Sequence, residues 1–247
     1  MSTAAVRIEA APTPVEINFH TTVFLVVDMQ DDFVTEGGLL HRLGVDISVF
    51  QHAVASTARA LIAARAAGIP VVYLKMGLGA DESDGPADES VNRVKRLLGR
   101  AGAPVRLPEG VENRLLTPDT WNSDIVRDLA PWPEDQIIYH HRFSGFFETT
   151  LHDTLRRLGA KHLIVAGCTT SVGVESTIRD ATSHDYSCVL LTDCTAEPIG
   201  HGLPRSNQDA TLLLVERLFG ALSTSEAFVK SLRRSYADWV TGDLQLR

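Results

Sequence analysis

Short, nearly unbroken apolar runs recur along the chain, and longer stretches with helical spacing separate them. The runs occupy residues 23–27, 71–74, 136–139, 163–165 and 188–192. An apolar run of this length is typical of a strand buried on both faces of a parallel sheet, because an exposed face would require alternate polar positions. We therefore predict a strand at each of these five places.

The segments between the runs have the spacing of helices. We predict helices over 49–67, 122–129, 150–158, 171–184 and 207–222, and a final amphipathic segment over 225–236. Glycine follows the first and third of these helices, as is usual where a helix stops. Strands that alternate with helices predict an α/β fold, a three-layer αβα Rossmann-like domain with a central, mostly parallel sheet.

The sequence predicts a single domain. Residues 1–20 are interpreted as an N-terminal tail and residues 21–240 as a single domain, with no repeat or linker dividing it. Residues 77–120 are rich in Gly, Asp, Pro and Arg with little periodicity, and they predict a long insertion or cap. Long segments of this kind are often functional.

Composition and charge argue against nucleic-acid-binding, membrane and secreted proteins. The chain has 247 residues, of which 44% are hydrophobic, enough for one full core. Its net charge of −8 argues against a nucleic-acid partner, and no apolar run approaches the roughly 20 residues that cross a bilayer. Three cysteines do not form a disulfide framework, and the first 14 residues lack the pattern of a signal peptide. We expect a cytoplasmic protein without a membrane partner.

Polar or small residues follow three of the predicted strands. Asp28 follows the first run, His140 follows the run at 136–139, and the turn Cys168–Gly173 follows the run at 163–165. The carboxyl ends of parallel strands share one edge of a sheet, where ligands bind. A tight turn that opens a helix also directs backbone N–H groups at one spot, which suits an oxyanion or an anionic ligand. One site at this edge is the prediction.

Three segments, 23–33, 140–147 and 166–180, resemble the isochorismatase-like hydrolases, often called cysteine hydrolases. In most of that family an Asp ends the first strand, a Lys ends a middle strand and a Cys lies in the turn before a helix. The corresponding residues here are Asp28, His140 and Gly173. The resemblance covers about residues 20–222 and is nearest to the ureidoacrylate and biuret amidohydrolase branch.

The residues at the strand ends have competing interpretations. Asp28, a partly desolvated carboxylate, suits proton transfer, although Asp in this position also caps turns. His140 is favoured over His141 as its partner, because adjacent strand residues face opposite ways, and Lys75 is the alternative cation. Asp31 and Asp32 are expected to be solvated or to form a turn.

Gly173 has no side chain and cannot form the acyl intermediate that a Cys forms. The first hypothesis is a hydrolase that acts on a small molecule without a covalent intermediate, through Asp28 and His140. Its precedent is the isochorismatases proper, which hydrolyse a vinyl ether without the Cys. The alternatives are an amide or ureide hydrolase that recruits Cys168 or has lost its nucleophile naturally or by engineering, and an inactive binding homologue.

The resemblance also implies details of the site. It implies a cis peptide bond between Cys168 and Thr169, with the amides of Thr169 and Gly173 forming an oxyanion hole. The candidate pocket residues, which are alternatively core or surface residues, are Phe33, Trp121, Arg142, Phe143, Phe146 and Cys168. Residues 71–83 contain no His, so we predict no metal, and we also expect no cofactor. Family members commonly associate, so a homo-oligomer, a dimer or tetramer, is expected.

Overall fold

A six-stranded sheet organises the computed structural model, which describes residues 5–78, 102–106, 110, 112–200 and 202–233. The strands are β1 (Ala5–Ile8), β2 (Val15–Asn18), β3 (Thr22–Val27), β4 (Val71–Met76), β5 (Pro104–Arg106), β6 (Glu112–Arg114), β7 (Gln136–His140), β8 (His162–Cys168), β9 (Ser187–Ala196) and β10 (Gly220–Ser223). The α-helices are α1 (Asp31–Val34), α2 (Leu39–Arg42), α3 (Val49–Ala66), α4 (Leu151–Arg157), α5 (Glu175–Ser183) and α6 (Asn207–Leu214), and residues 225–233 are also helical.

The strand order of the main sheet is β10-β9-β8-β3-β4-β7, and every neighbouring pair is parallel. The predicted α/β class with a parallel central sheet is therefore confirmed. Because all six strands run the same way, the residues that follow β3, β7 and β8 emerge at one carboxyl edge.

Both faces of the sheet are covered, as the unbroken apolar runs predict. Phe24 and Val26 of β3 pack in a cluster with α3 and with helical residues near Phe228. Val23 and Leu25, which alternate with them, pack in a second cluster with α4 and α5. Each such side chain stabilises the fold by roughly 1.5–3 kcal/mol, so burial on both faces holds the sheet between its helices.

Two predicted helices are wrong in part. Residues 122–129 form only the 3-10 turns Trp121–Ser123 and Arg127–Leu129, because the chain between them is extended and pairs with residues after β3. Gln30 forms an antiparallel bridge with Ile125, and the amide of Val126 donates to the carbonyl of Met29 at 3.0 Å. Tertiary pairing has overridden the helical spacing here.

The helix predicted over 207–222 ends early. Helix α6 stops at Leu214, a π turn covers Val215–Phe219, and residues 220–223 form the edge strand β10 beside β9. Gly220 lies so close to Cys188 that a Cβ atom there would come within 2.5 Å of the Cys188 carbonyl oxygen. A glycine at this point therefore ends the helical segment and lets the last strand join the sheet.

Other segments add detail that the pattern does not predict. The stretch interpreted as a tail contains β1 and β2, which pair antiparallel, and Ala11 bridges to Leu222 of β10. Within the predicted insertion, β5 and β6 form a short antiparallel pair, while residues 79–101 lie outside the described residues. Of the helices in the described ranges, none has both the length and the apolar character required to cross a bilayer.

Candidate active site

Asp28 leaves the sheet at the carboxyl end of β3. Its amide still donates to the carbonyl of Leu74 at 3.0 Å, but its φ of +53° is left-handed, a conformation that Asp tolerates better than most residues. The backbone therefore turns out of the sheet at this residue. Its side chain is 6% exposed, so the carboxylate is largely shielded but still accessible.

His140, the last residue of β7, contacts Asp28 across the edge. The Asp28 Oδ1 atom lies 2.7 Å from His140 Nε2, and His140 Nδ1 lies 2.5 Å from the carbonyl oxygen of Arg142. A carbonyl oxygen only accepts hydrogen bonds, so Nδ1 carries a proton, and in the protonated imidazole Nε2 also donates to the carboxylate. His141, the competing candidate, pairs with Glu148 instead, with Nε2 3.3 Å from Oε2.

The ionisation of His140 follows from this environment. Burial by itself lowers the pKa of His140, but the Asp28 charge and the two hydrogen bonds outweigh it, so the pKa is raised above its ordinary value. The protonated imidazole donates to both the carboxylate and the carbonyl. The contacts with Asp28 and Arg142 therefore favour the protonated, imidazolium form of His140.

The turn after β8 completes the site. Gly167 has a φ of +146°, and a Cβ atom there would collide with the backbone of Val27, so this glycine lets β8 lie close against β3 beside Asp28. The peptide bond between Cys168 and Thr169 is cis, as the resemblance implies. A π turn over Thr170–Val174 then leads into α5.

Gly173 lies directly against the Asp28 carboxylate. A Cβ atom at residue 173 would come 2.7 Å from Asp28 Oδ2 and 3.3 Å from the carbonyl oxygen of Cys168. Real Cβ atoms do not approach an oxygen as closely as the first distance. The carboxylate of Asp28 therefore takes up part of the space that a side chain at this position would need.

Cys168 is adjacent to the site but is buried beneath it. Cys168 is 1% exposed, and its thiol donates to the carbonyl oxygen of Asp28, with Sγ 2.9 Å from that atom. Burial raises the pKa of the Cys168 thiol well above its ordinary value, and the charges of Asp28 and Glu197 raise it further. The thiol therefore stays protonated at neutral pH, the opposite of an activated cysteine.

Three buried polar residues that the sequence analysis did not assign to the site brace it. The Gln30 side chain bonds the amide and carbonyl of Met76 and the carbonyl of Ser123, which joins β4 to the turn at 121–123. Glu197 bonds the turn after β8, through the amide and hydroxyl of Ser171. The third is Asp32. The sequence contains no signal for the partners of these three residues, although the place of Glu197 directly after a strand is consistent with a position near the site.

Asp32 corrects the expectation that the acidic pair after Asp28 is solvated or turn-forming. Asp31 and Asp32 are both buried, and Asp32 accepts bonds from the amides of Leu39 and Leu116 and from the Asn122 side chain. Burial raises the pKa of Asp32 to about 6 even though these bonds lower it. Its carboxylate ties three separate segments together next to the site.

The other residues that the sequence suggested for the site have the following contacts. Lys75 pairs with Asp124, with Nζ 3.6 Å from Oδ1, and lies over the Tyr139 ring. Phe146, predicted in the pocket wall, stacks on His184, with ring centroids 5.2 Å apart, and packs against the cluster of buried residues that includes Ile178 of α5.

Phe33 and Phe143 both pack against one cluster of buried residues around Met76, which lies level with His140 in the sheet. Trp121 is partly buried at the start of the 3-10 turn whose last residue, Ser123, accepts from Gln30. Arg142 lies over the ring of Phe147 at 5.6 Å, and its carbonyl holds His140. Within the described ranges, no group of three or more His, Cys, Asp or Glu side chains is arranged to hold a metal ion.

A parallel sheet with a polar cluster at its carboxyl edge is typical of α/β enzymes. The chain matches the model of the isochorismatase domain over residues 22–227, and it therefore belongs to the isochorismatase family of hydrolases. The resemblance drawn from the sequence is confirmed.

Its relatives are similar over nearly their whole length. Proteins named ureidoacrylate amidohydrolase RutB, from Variovorax paradoxus and Methylorubrum extorquens, are 35% and 36% identical over 224 and 230 residues. The alignments cover 90% and 92% of this chain and 85% and 89% of those proteins. A crystal structure of a cysteine hydrolase from Pseudomonas syringae pv. phaseolicola matches with a TM-score of 0.73 at 27% identity, covering 96% of this chain and all of that one.

Proposed function

We propose that this hydrolase cleaves a C–N bond of a small ureide or amide with water as the direct nucleophile, through Asp28 and His140 and without a thiol. The observation that carries the proposal is the 2.7 Å hydrogen bond between Asp28 and His140 beside a residue, Gly173, that has no side chain. Relatives at 35% and 36% identity are ureidoacrylate amidohydrolases by name, which supports a ureide as the substrate class.

The two members of the pair have different roles. The His140 side chain is completely buried, whereas the Asp28 side chain retains 6% exposure. Asp28 is therefore the group that meets water and substrate, and His140 acts through it. Because Oδ1 is engaged by His140, the other oxygen, Oδ2, is the one available for proton transfer.

The proposed reaction has two proton transfers. Asp28 Oδ2 takes a proton from water as the water oxygen bonds to the substrate carbonyl carbon. The amides of Thr169 and Gly173 receive the negative charge that develops on the carbonyl oxygen. Asp28 then gives the proton to the leaving nitrogen, the C–N bond breaks, and an acid and an amine are released. The imidazolium of His140 keeps the carboxylate aligned throughout.

The state of Cys168 supports water as the nucleophile. The thiol is the donor in a hydrogen bond to the Asp28 carbonyl, and its pKa is raised well above the ordinary value by burial. A nucleophilic cysteine requires the reverse, a thiolate at an electropositive, accessible position. Cys168 therefore fits a packed, structural side chain.

A Cys168→Ala variant is expected to keep kcat within about threefold of the wild type while losing roughly 1–2 kcal/mol of stability from the lost packing. The assay is a substrate panel of ureidoacrylate, biuret, N-carbamoyl amino acids, simple amides and a vinyl ether. Mass spectrometry of the quenched reaction gives the second readout. An acyl adduct on Cys168, or loss of turnover in the variant, would establish the thiol mechanism instead.

The same panel separates the alternative functions. Turnover of the vinyl ether alone would assign the isochorismatase-type reaction, in which Asp28 protonates a carbon atom. Saturable binding of a ureide with no turnover of any compound would assign an inactive binding homologue. Release of ammonia or an amine is the result that the proposal requires.

The pH dependence of kcat/KM is expected to show an alkaline limb with a midpoint above pH 6.5. The folded-state pKa of His140 is raised, so its stabilising charge is fully present below pH 6.5 and is lost as the pH rises through that higher value. Neutral His140 no longer donates to both of its partners, and the carboxylate loses its alignment.

His141→Gln is the matched control for this limb, because His141 pairs with Glu148 and not with Asp28. The variant should leave the midpoint in place. A midpoint at or below pH 6.5, or one that shifts in His141→Gln, would mean that another group controls the reaction.

We also propose that the chain associates with copies of itself. Family members commonly do so, and Leu213, Leu214 and Leu218 present 37–66% of their surface on and just after α6. Sedimentation velocity at micromolar concentration should give a species at least twice the 26.9 kDa of one chain. A single monomeric boundary would contradict this.

A further inference from the structure

Glu197 is a buried carboxylate that the proposed reaction does not use. It is 3% exposed and directly follows β9. Its Oε2 accepts from the amide of Ser171 at 2.8 Å and from the Ser171 hydroxyl at 2.5 Å, and its Oε1 accepts from the amide of Ile199 at 2.9 Å. Three donors thus converge on one carboxylate beneath the turn that leads into α5.

An irregular strand register brings Glu197 to this place. Val165 of β8 pairs with Leu190, but Gly167, two residues later, pairs with Thr195. Between these two pairs β9 contains more residues than β8, and the end of β9 therefore lies beside the end of β8. A second tie forms there, with the hydroxyls of Thr195 and Thr170 2.7 Å apart.

The turn fixed by Glu197 carries the backbone of the candidate site. Within it, the amides of Val172 and Val174 both donate to the carbonyl of Thr169, at 3.1 and 3.3 Å. The amide of Ser171 donates to Glu197 instead. Glu197 therefore sets the orientation of the peptide plane between Thr170 and Ser171, and with it the direction of the amides on either side.

We propose that Glu197 is a positioning residue, which holds the turn over Thr169–Gly173 so that its amides point at the reacting carbonyl. The expected effect on kcat rests on the proposed function. The expected ordering of the turn rests on the hydrogen bonds alone. Displacement of preorganised amides weakens stabilisation of the transition state more than binding of the substrate.

The same strand contains a matched control. Asp193 of β9 accepts from the amide of Ser225 at 2.7 Å and from the Ser225 hydroxyl at 2.5 Å. This arrangement repeats the contact of Glu197 with Ser171, but it anchors the helical residues 225–233 rather than the turn beside Gly173. Glu197→Ala and Asp193→Ala therefore both delete bonds to the amide and hydroxyl of one serine, and Glu197→Ala deletes in addition the bond to the amide of Ile199.

The experiment compares the two variants by steady-state kinetics, thermal unfolding and hydrogen–deuterium exchange. We expect kcat to fall about 10- to 100-fold in Glu197→Ala with KM within about threefold, because small misplacements of catalytic groups cost this much. Peptides covering 168–176 should exchange faster. In Asp193→Ala, Tm should fall comparably, kcat should stay within about twofold, and faster exchange should be confined to peptides near 225–233.

A variant that conserves volume covers the case in which Glu197→Ala does not fold. Glu197→Gln places an NH2 group against one of the three donors, so it should show the same kcat loss and local exchange to a smaller degree. Equal kcat losses in the Glu197 and Asp193 variants, or unchanged exchange over 168–176, would overturn the proposal. If the wild-type protein turns over no compound, the proposed function fails, while the exchange data still decide whether Glu197 orders the turn.

Discussion

Asp28→Asn is expected to abolish turnover, with kcat reduced by about 10³-fold, the usual contribution of a general acid–base group. The substitution keeps the shape of the side chain, and the Asn carbonyl oxygen still accepts from His140 Nε2. It removes the oxygen that exchanges protons with water and with the leaving nitrogen. Single-turnover kinetics on the best compound of the panel would measure the loss, with thermal unfolding to show that the variant is folded.

Asp31→Asn provides the comparison for this prediction. Asp31 is also buried and lies three residues away, but its carboxylate accepts from the Thr35 hydroxyl, whereas that of Asp28 pairs with His140. Its substitution should change kcat by no more than about threefold, within the range of ordinary structural effects. An Asp28→Asn enzyme that retains a tenth of wild-type activity would rule out Asp28 as the proton carrier.

The central part of the fold could be predicted from the sequence because its strands are apolar on both faces. Residues 23–27 cannot be placed at an exposed surface, so the parallel sheet and its two helical layers follow from the pattern. The positions of Asp28 and His140 at strand ends then imply one edge. Their contact depends in addition on the strand order β3-β4-β7, which local pattern does not contain.

The parts that could not be predicted depend on contacts between residues far apart in the chain. Asp32 is acidic and follows a strand, a pattern typical of a solvated turn, yet it is buried and accepts from Leu116 and Asn122, which are far away in the chain, and from the nearer Leu39. The apolar spacing of the helix before β10 continues into that strand, and Gly220 and the pairing with β9 make it a strand. Residues near Ile125 pair with Gln30 for the same reason.

Side chains introduced at residue 173 are expected to inactivate the enzyme whatever their chemistry. A Cβ atom there would lie 2.7 Å from Asp28 Oδ2, so the carboxylate must shift, and we expect its bond to His140 to lengthen or break. We expect Gly173→Ala and Gly173→Cys to lose kcat to a similar extent, about 10²-fold or more, because a displacement near 1 Å has such an effect. The alanine variant isolates the effect of the Cβ atom from that of the thiol.

A thiol-dependent amidase should emerge only when His140 changes as well. In the family pattern that the sequence resembles, a Lys stands at this position together with the Cys, and its longer side chain can pair with an Asp28 that has moved away from residue 173. The His140→Lys, Gly173→Cys double variant should therefore recover ureide hydrolysis that iodoacetamide abolishes, with an acyl adduct on the new cysteine. The His140→Lys, Gly173→Ala protein is the control and should stay inactive. If Gly173→Cys alone matched the wild type, the carboxylate would not be occupying the space of the missing side chain, and the water mechanism would lose its structural basis.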